Sequence, residues 1–264
     1  MSIHPTAVVD PTAQLGDDVE IGAFSVVGAE AVLGDGVRLH AQVVIEPYTT
    51  LGGGCEVYSG AVLGGVPQDR KFKGEKTFLT IGKNNIIREH VTIHRAAGAG
   101  GETRLGDDNL IMAYCHVGHN CVMGSGITMG NMAALSGHVE VEDRVVFGGI
   151  VGVHQFTRIG KLAMIGGLSK VVQDVPPFVM ADGRPSKVMD LNVIGLRRSG
   201  VSARVRADLK QVYKLLYRSN LNISQAIEVA ETDVEPSPER DYLLDFIRQI
   251  RFGSNGRGND PPRS

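Results

Sequence analysis

Four of the chain's eight histidines fall close together, at His116, His119, His138 and His154. A neutral imidazole accepts a proton near physiological pH, so any of them could act as a general base. Three imidazoles around an open position could instead hold zinc. Counting in steps of 18 from His119 reaches Gly137 and then Gln155, with His138 and His154 as their neighbours. If 18 residues make one coil, these groups stack along one edge. The same spacing also fits unrelated turn histidines.

The elements that would position them are visible in the rest of the chain. Of the 29 residues at every sixth position from Ile3 to Val171, 26 are Ile, Val, Leu, Met or Phe, against about 12 from a 42% hydrophobic composition. A period of six fits neither an α-helix nor a long strand. It fits short strands joined by turns, each sending one large aliphatic side chain inward. Three such strands close a triangular coil, and coils stack through backbone hydrogen bonds as parallel strands do. The expected fold is therefore a parallel β-helix, and the repeat leaves its hand open. Glycine often follows the aliphatic residue, as at Gly16, Gly22, Gly118 and Gly130, and is expected there for a sharp bend. Small residues recur four places on. Cys55, Cys115 and Cys121 share that position, so they are expected to pack inside the coil, and no CxxC pair is present.

Two segments interrupt the repeat without changing its phase: PQDRKFKGEKTF (67–78) and RAAGAGGETR (95–104). They read as loops extruded from an intact spine, where binding residues commonly sit. After Val171 the pattern stops, and VPPF (175–178) marks a boundary. Helical spacing follows at Val205, Leu209, Val212 and Leu216, and again at Leu243, Phe246, Ile247 and Ile250, with Ser237-Pro238 as a helix start. The expected organisation is a β-helix over 1–190, a helical unit over 191–252 that caps the solenoid, and a disordered tail over 253–264.

Composition excludes several classes. With 27 Lys+Arg against 29 Asp+Glu, the chain lacks the basic excess of a general nucleic-acid binder. No apolar stretch reaches the roughly 20 residues of a membrane helix. The start MSIHPTAVVDPTAQ has no basic, apolar signal segment, so a cytoplasmic protein without membrane insertion is expected. Thirty-four glycines, no tryptophan and few aromatics agree with a thin, repetitive core.

Several motifs together resemble the UDP-N-acetylglucosamine O-acyltransferase family of lipid A biosynthesis, within the hexapeptide-repeat acyltransferases. They are HVGHNC (116–121), SGHVEVED (136–143), GGIVGVHQF (148–156), VPQDRKFKGE (66–75), VTIHR (91–95), QDVPPFVMADG (173–183) and LNVIGLRRSG (191–200). The resemblance covers almost the whole chain. It implies a left-handed parallel β-helix with a C-terminal α-helical domain, a homotrimer, and active sites between neighbouring subunits. It also implies transfer of an (R)-3-hydroxyacyl chain from acyl carrier protein to the 3-hydroxyl of UDP-N-acetylglucosamine, the first step of lipid A biosynthesis, with no cofactor or metal.

Carried onto this chain by resemblance, His119 is the general base and the Gly137 N–H is the oxyanion donor. Asp69, Lys71, His116, His138, His154, Gln155, Asn192 and Arg198 are substrate-binding positions, and Gly167 is the acyl-chain ruler. Two positions depart from the family pattern. Asn120 follows the base where Asp is common, and Ile194 stands where an acidic residue contacts the nucleotide. The basic run Arg197, Arg198, Arg204, Arg206, Lys210, Lys214 and Arg218 suits an acidic carrier protein. The competing readings are an N-acyltransferase for an amino-sugar nucleotide, a zinc-dependent carbonic anhydrase-like trimer, and a scaffold without catalysis.

Overall fold

The six-residue register closes into three parallel sheets in the computed structural model, which describes residues 1–252 and 257. The first face runs from Ser2–Ile3 through Glu20–Ile21 to Met164–Ile165. The second runs from Val8–Val9 to Lys170–Val171, and the third from Gln14–Leu15 to Arg158–Ile159. Each short strand pairs with its equivalent one coil away, as Ile3 does with Ile21 and Val117 with Leu135. The inward aliphatic residues are buried from Ile21 to Val171, and so are the small positions, including the three free cysteines. Burial raises the Cys115 thiol to about 11 and Cys121 to about 12, so both are uncharged packing groups.

The glycines have a different reason from the one expected. Apart from Gly64, the residue after the inward aliphatic is not in the left-handed region; the residue two places later is, as at Asp18, Phe24, Glu30, Asn120, His138 and Ile150, and most of these turn residues are not glycine. The N–H of that turn residue donates to the turn of the preceding coil, as in His138 N–H to His119 O at 3.0 Å and Ile150 N–H to Asn131 O at 2.8 Å. Such a conformation costs an L-residue roughly 1–2 kcal/mol, and the ladder of bonds holds it in place. Glycine is favoured two places earlier because the coils touch there. A Cβ on Gly22 would stand 2.6 Å from the His40 carbonyl carbon.

The three corners differ in chemistry. The first, between the first and second faces, exposes Phe24, Tyr114, Met132, Ile150 and Leu168. The third, between the third and first faces, carries Asp18, Asn84, Asp108 and Arg144. Both extruded loops leave the second corner, between the second and third faces, after Val62–Gly65 and Thr92–His94. Each loop ends earlier than the sequence indicated, because Phe78 and Glu102 already begin strands of the third face. Register absorbs the insertions: Val57 aligns with Ile87 and Ile93 with Val117.

Past Val171 the first face gains one further parallel strand, Val179–Gly183, and an antiparallel partner, Ser186–Leu191. Four helices follow: α1 Val193–Arg198, α2 Ala203–Arg218, α3 Ile223–Asp233 and α4 Pro238–Phe252. The sequence spacing indicated α2 and α4 but not α1 or α3. Ser237 caps α4 as expected, its Oγ accepting from the Arg240 N–H at 3.1 Å. A second apolar core, including Leu209, Val212, Ala226, Ile227 and Leu243, joins the solenoid at Leu162 and Phe178. The expected disorder of 253–264 falls, apart from residue 257, outside the described residues. Among the described residues no helix is long and apolar enough to cross a membrane.

Candidate active site

The histidines gather on the second corner because the coil register stacks them there. His119 is buried, 8% exposed, at the end of the strand pair that precedes the turn. Gly137 lies one coil on, and a Cβ at that position would stand 2.7 Å from both Cε1 and Nε2 of His119. The imidazole therefore rests on the Gly137 backbone, and only glycine leaves it room. Among the described residues the Gly137 N–H has no backbone acceptor, so it is free to donate to a reacting oxygen beside Nε2.

The tautomer of His119 is set by its neighbour. His119 Nδ1 lies 2.8 Å from Asn120 Oδ1. That oxygen also accepts from the Ala97 N–H at 2.9 Å, while Asn120 Nδ2 donates to the Ala97 carbonyl at 3.0 Å. The reciprocal pair fixes which end of the amide is oxygen. The proton of the His119 contact must then sit on Nδ1, which leaves the Nε2 lone pair toward Gly137.

Other imidazoles surround the base. The His138 ring is 5.2 Å from that of His119 and stacks on Phe156 at 4.8 Å. His116 Nδ1 contacts Thr92 Oγ1 at 2.8 Å. Burial, and then the neighbouring His119 charge, lower both His116 and His138 from the usual imidazole range, while Asp69 pulls His138 the other way. Asp69, in the first loop, is therefore electrostatically linked to His138. Asp69 Oδ1 accepts from the Lys71 N–H at 2.9 Å, so the two expected substrate residues share one turn. His154 and Gln155 are exposed on the next coil, with His154 Nδ1 3.2 Å from the Gln155 carbonyl. Among the described residues no group of three or more His, Cys, Asp or Glu side chains is arranged to hold a metal ion.

One member of the cluster escaped the sequence reading. His94 is 9% exposed, its ring lies 4.8 Å from that of His116, and its Nδ1 is buried without a partner. The six residues absorbed by the second loop break the 18-residue ruler before it. The signal was a histidine after Ile93, in the phase where glycine usually stands.

Burial, with the charges of His116 and His119, lowers His94 to about 4. An unfolded histidine titrates near 6.5. Between these values the unfolded chain binds more protons, so stability is lost as pH falls from about 6.5 toward 4. Thermal unfolding across that window should show a shallower fall in Tm for His94→Gln than for wild type. Equal slopes would contradict the assignment.

The remaining expected residues lie elsewhere in the chain. Gly167 is on the first corner, where its Cβ would meet the Gly149 carbonyl oxygen at 3.3 Å. The Asn192 amide is committed to structure: Oδ1 caps α1 through the Gly195 N–H at 2.9 Å, and Nδ2 donates to the Leu162 carbonyl at 2.9 Å on the third corner. Arg198 is exposed in the last turn of α1. Much of the basic run is also engaged. Lys210 pairs with Asp190, Arg206 donates to the Val201 carbonyl, Arg218 bonds the Met189 carbonyl at 2.9 Å, and Arg204 is 3.7 Å from Glu235. Ile194 is exposed, 57% accessible.

The chain is similar to known proteins along most of its length. A family model described as UDP N-acetylglucosamine O-acyltransferase, domain 2, matches residues 174–258. The acyl-[acyl-carrier-protein]–UDP-N-acetylglucosamine O-acyltransferase of Thiobacillus denitrificans is 49% identical over 96% of this chain and 98% of its own. The enzyme of the same name from Janthinobacterium sp. is 48% identical over 94% of each chain. The crystal structure of a UDP-N-acetylglucosamine acyltransferase from Bacteroides fragilis superposes with a TM-score of 0.92 at 38% identity, over 97% of this chain and 99% of that one. The hand that the repeat left open is thereby assigned: the solenoid is a left-handed parallel β-helix.

Proposed function

The chain belongs to the UDP-N-acetylglucosamine O-acyltransferase family, and on that premise we propose that it uses His119 to move an (R)-3-hydroxyacyl chain from acyl carrier protein to the 3-hydroxyl of UDP-N-acetylglucosamine. The activity class is that of an O-acyltransferase, and the reaction is the first step of lipid A biosynthesis. The observation that carries the assignment of roles is the stacking of His119 on Gly137.

His119 Nε2 takes the proton of the sugar hydroxyl as its oxygen attacks the thioester carbonyl carbon. The Gly137 N–H donates to the oxyanion of the tetrahedral intermediate. Collapse breaks the carbon–sulfur bond, and the proton held on Nε2 passes to the leaving thiolate. His116 and His138, kept neutral by burial, remain able to exchange hydrogen bonds with the sugar. Asp69 and Lys71, in the first loop, hold the sugar nucleotide.

A second copy completes the site. Within one chain the base is on the second corner, while the chain-length residue Gly167 is on the first and Arg198 is on α1. The first corner is also where bulky apolar side chains stand exposed at positive φ, Ile150 at 54% and Tyr114 at 56%. A β-branched residue exposed in the left-handed region is doubly disfavoured in a free surface. Packing of this corner against the neighbouring subunit of a homotrimer accounts for both features and brings Gly167 toward a neighbour's His119.

Transfer from a series of (R)-3-hydroxyacyl-acyl carrier proteins to UDP-N-acetylglucosamine, without added metal and across a dilution series, tests the reading. Ester product is expected, with specific activity falling as the assembly dissociates. Product only with the 3-amino sugar nucleotide would redirect the reaction to nitrogen, and full activity of a monomer would refute the shared site.

A further inference from the structure

Asn120 has more connections than a turn residue requires. It stands at φ 59°, with its own N–H donating to Thr103 Oγ1 at 2.8 Å. Its amide contacts three groups at once: His119 Nδ1 at 2.8 Å, and the N–H and carbonyl of Ala97 at 2.9 and 3.0 Å. Ala97 lies in the 95–101 loop, and that loop is tied in turn to the first. The Gly98 N–H donates to Glu75 Oε1 at 2.9 Å, and the Gly100 N–H to the Lys76 carbonyl at 3.0 Å. Glu75 and Lys76 close the loop that carries Asp69 and Lys71. A continuous set of hydrogen bonds therefore runs from the loop facing the sugar nucleotide to the imidazole.

We propose that Asn120 is a positioning residue that couples the two loops of the second corner to the tautomer of His119. The inference rests on His119 being the base. An amide is suited to this task and a carboxylate is not, because Ala97 presents both a donor and an acceptor. A carboxylate could still accept from His119 Nδ1 and the Ala97 N–H, but it would set an oxygen about 3 Å from the Ala97 carbonyl with no proton between them. In this chain the residue next to the base therefore supplies geometry and loop order, and no negative charge. The titratable groups electrostatically coupled to His119 are His94, His116 and His138, and Asp69 is coupled in turn to His138.

Two substitutions separate the parts of this role. Asn120→Gly removes the amide and accepts the positive φ without strain. Asn120→Asp keeps the acceptor for Nδ1 and removes the donor to Ala97. The readouts are ¹⁵N NMR of the histidine nitrogens, amide exchange over 95–101, and the pH profile of kcat/KM. Wild type should show a protonated Nδ1 on His119. Asn120→Gly should shift the neutral ring toward the Nε2–H form, lower kcat by about tenfold or more, and speed exchange in the loop. Asn120→Asp should keep Nδ1 protonated, speed loop exchange, and move the acid limb of kcat/KM upward by about one pH unit, since a carboxylate favours the imidazolium.

Retention of the Nδ1–H tautomer and of kcat within twofold in Asn120→Gly would overturn the proposal. Unchanged loop exchange in both variants would also overturn it. The NMR readout does not depend on turnover, so it stands apart from the assignment of the base. Full activity in His119→Ala would remove that assignment while leaving the coupling measurable.

Discussion

His119→Ala is expected to lower kcat by roughly 10²- to 10⁴-fold, the usual contribution of a positioned general base. The KM for UDP-N-acetylglucosamine should move little, because Nε2 acts on the hydroxyl proton in the transition state more than on the bound sugar. The fold should survive. Asn120 keeps both of its bonds to Ala97 when the imidazole is gone, and the solenoid core lies on the other side of the turn, with Val117 and Leu135 fully buried. Steady-state kinetics with circular dichroism separates the two effects. A kcat within twofold of wild type would leave the histidine corner without a chemical role, and the scaffold reading would return.

Gly137→Ala adds one methyl group and is expected to cost nearly as much. The new Cβ would stand 2.7 Å from Cε1 and Nε2 of His119, a separation no real contact tolerates. The neighbouring coil cannot yield, because the His138 N–H is held by the His119 carbonyl at 3.0 Å. The ring must swing instead, which strains or breaks its bond to Asn120 Oδ1. A displacement near 1 Å at a reacting atom can reduce rate about 100-fold, and overpacking should destabilise the fold by about 1–3 kcal/mol. A large fall in kcat beside a modest fall in Tm is the expected signature. Equal and slight effects on both would mean that the ring relaxes freely and that close approach to Gly137 is unimportant.

These two residues illustrate what was legible beforehand. The repeat of six predicted three strands per coil and an 18-residue ruler, and the ruler alone placed Gly137 one layer from His119. It worked there because no insertion lies between them. His94 was invisible to it, since the 95–101 loop lengthens that coil by six residues, and only the pairing of Thr92 with His116 restores the register. Asn192 shows a role the sequence does not reveal: its amide accepts from the Gly195 N–H to cap α1 and donates to the carbonyl of Leu162. Within the basic run, the antiparallel hairpin brings Asp190 and Met189 alongside α2, where they engage Lys210 and Arg218.

The glycine pattern carried a correct position and a wrong cause. Backbone freedom was the expected reason, but the turn strain falls two residues later, on side-chain-bearing residues held by coil-to-coil hydrogen bonds. Glycine is selected where stacked coils leave no space for a Cβ. A sequence records which residue types recur, and steric exclusion by a neighbouring layer becomes visible only when the layers are stacked.

By itself the amino-acid order determined the period, the inward stack, the points where loops leave the spine, and the edge on which the histidines collect. All of these follow from burying one aliphatic residue per strand in a repeating coil, which is a local rule. Tertiary structure decided the tautomer of His119, the tether from Asn120 to Ala97 and the neutral state of His94. Those depend on hydrogen bonds, burial and distances between segments whose spacing in sequence carries no fixed period.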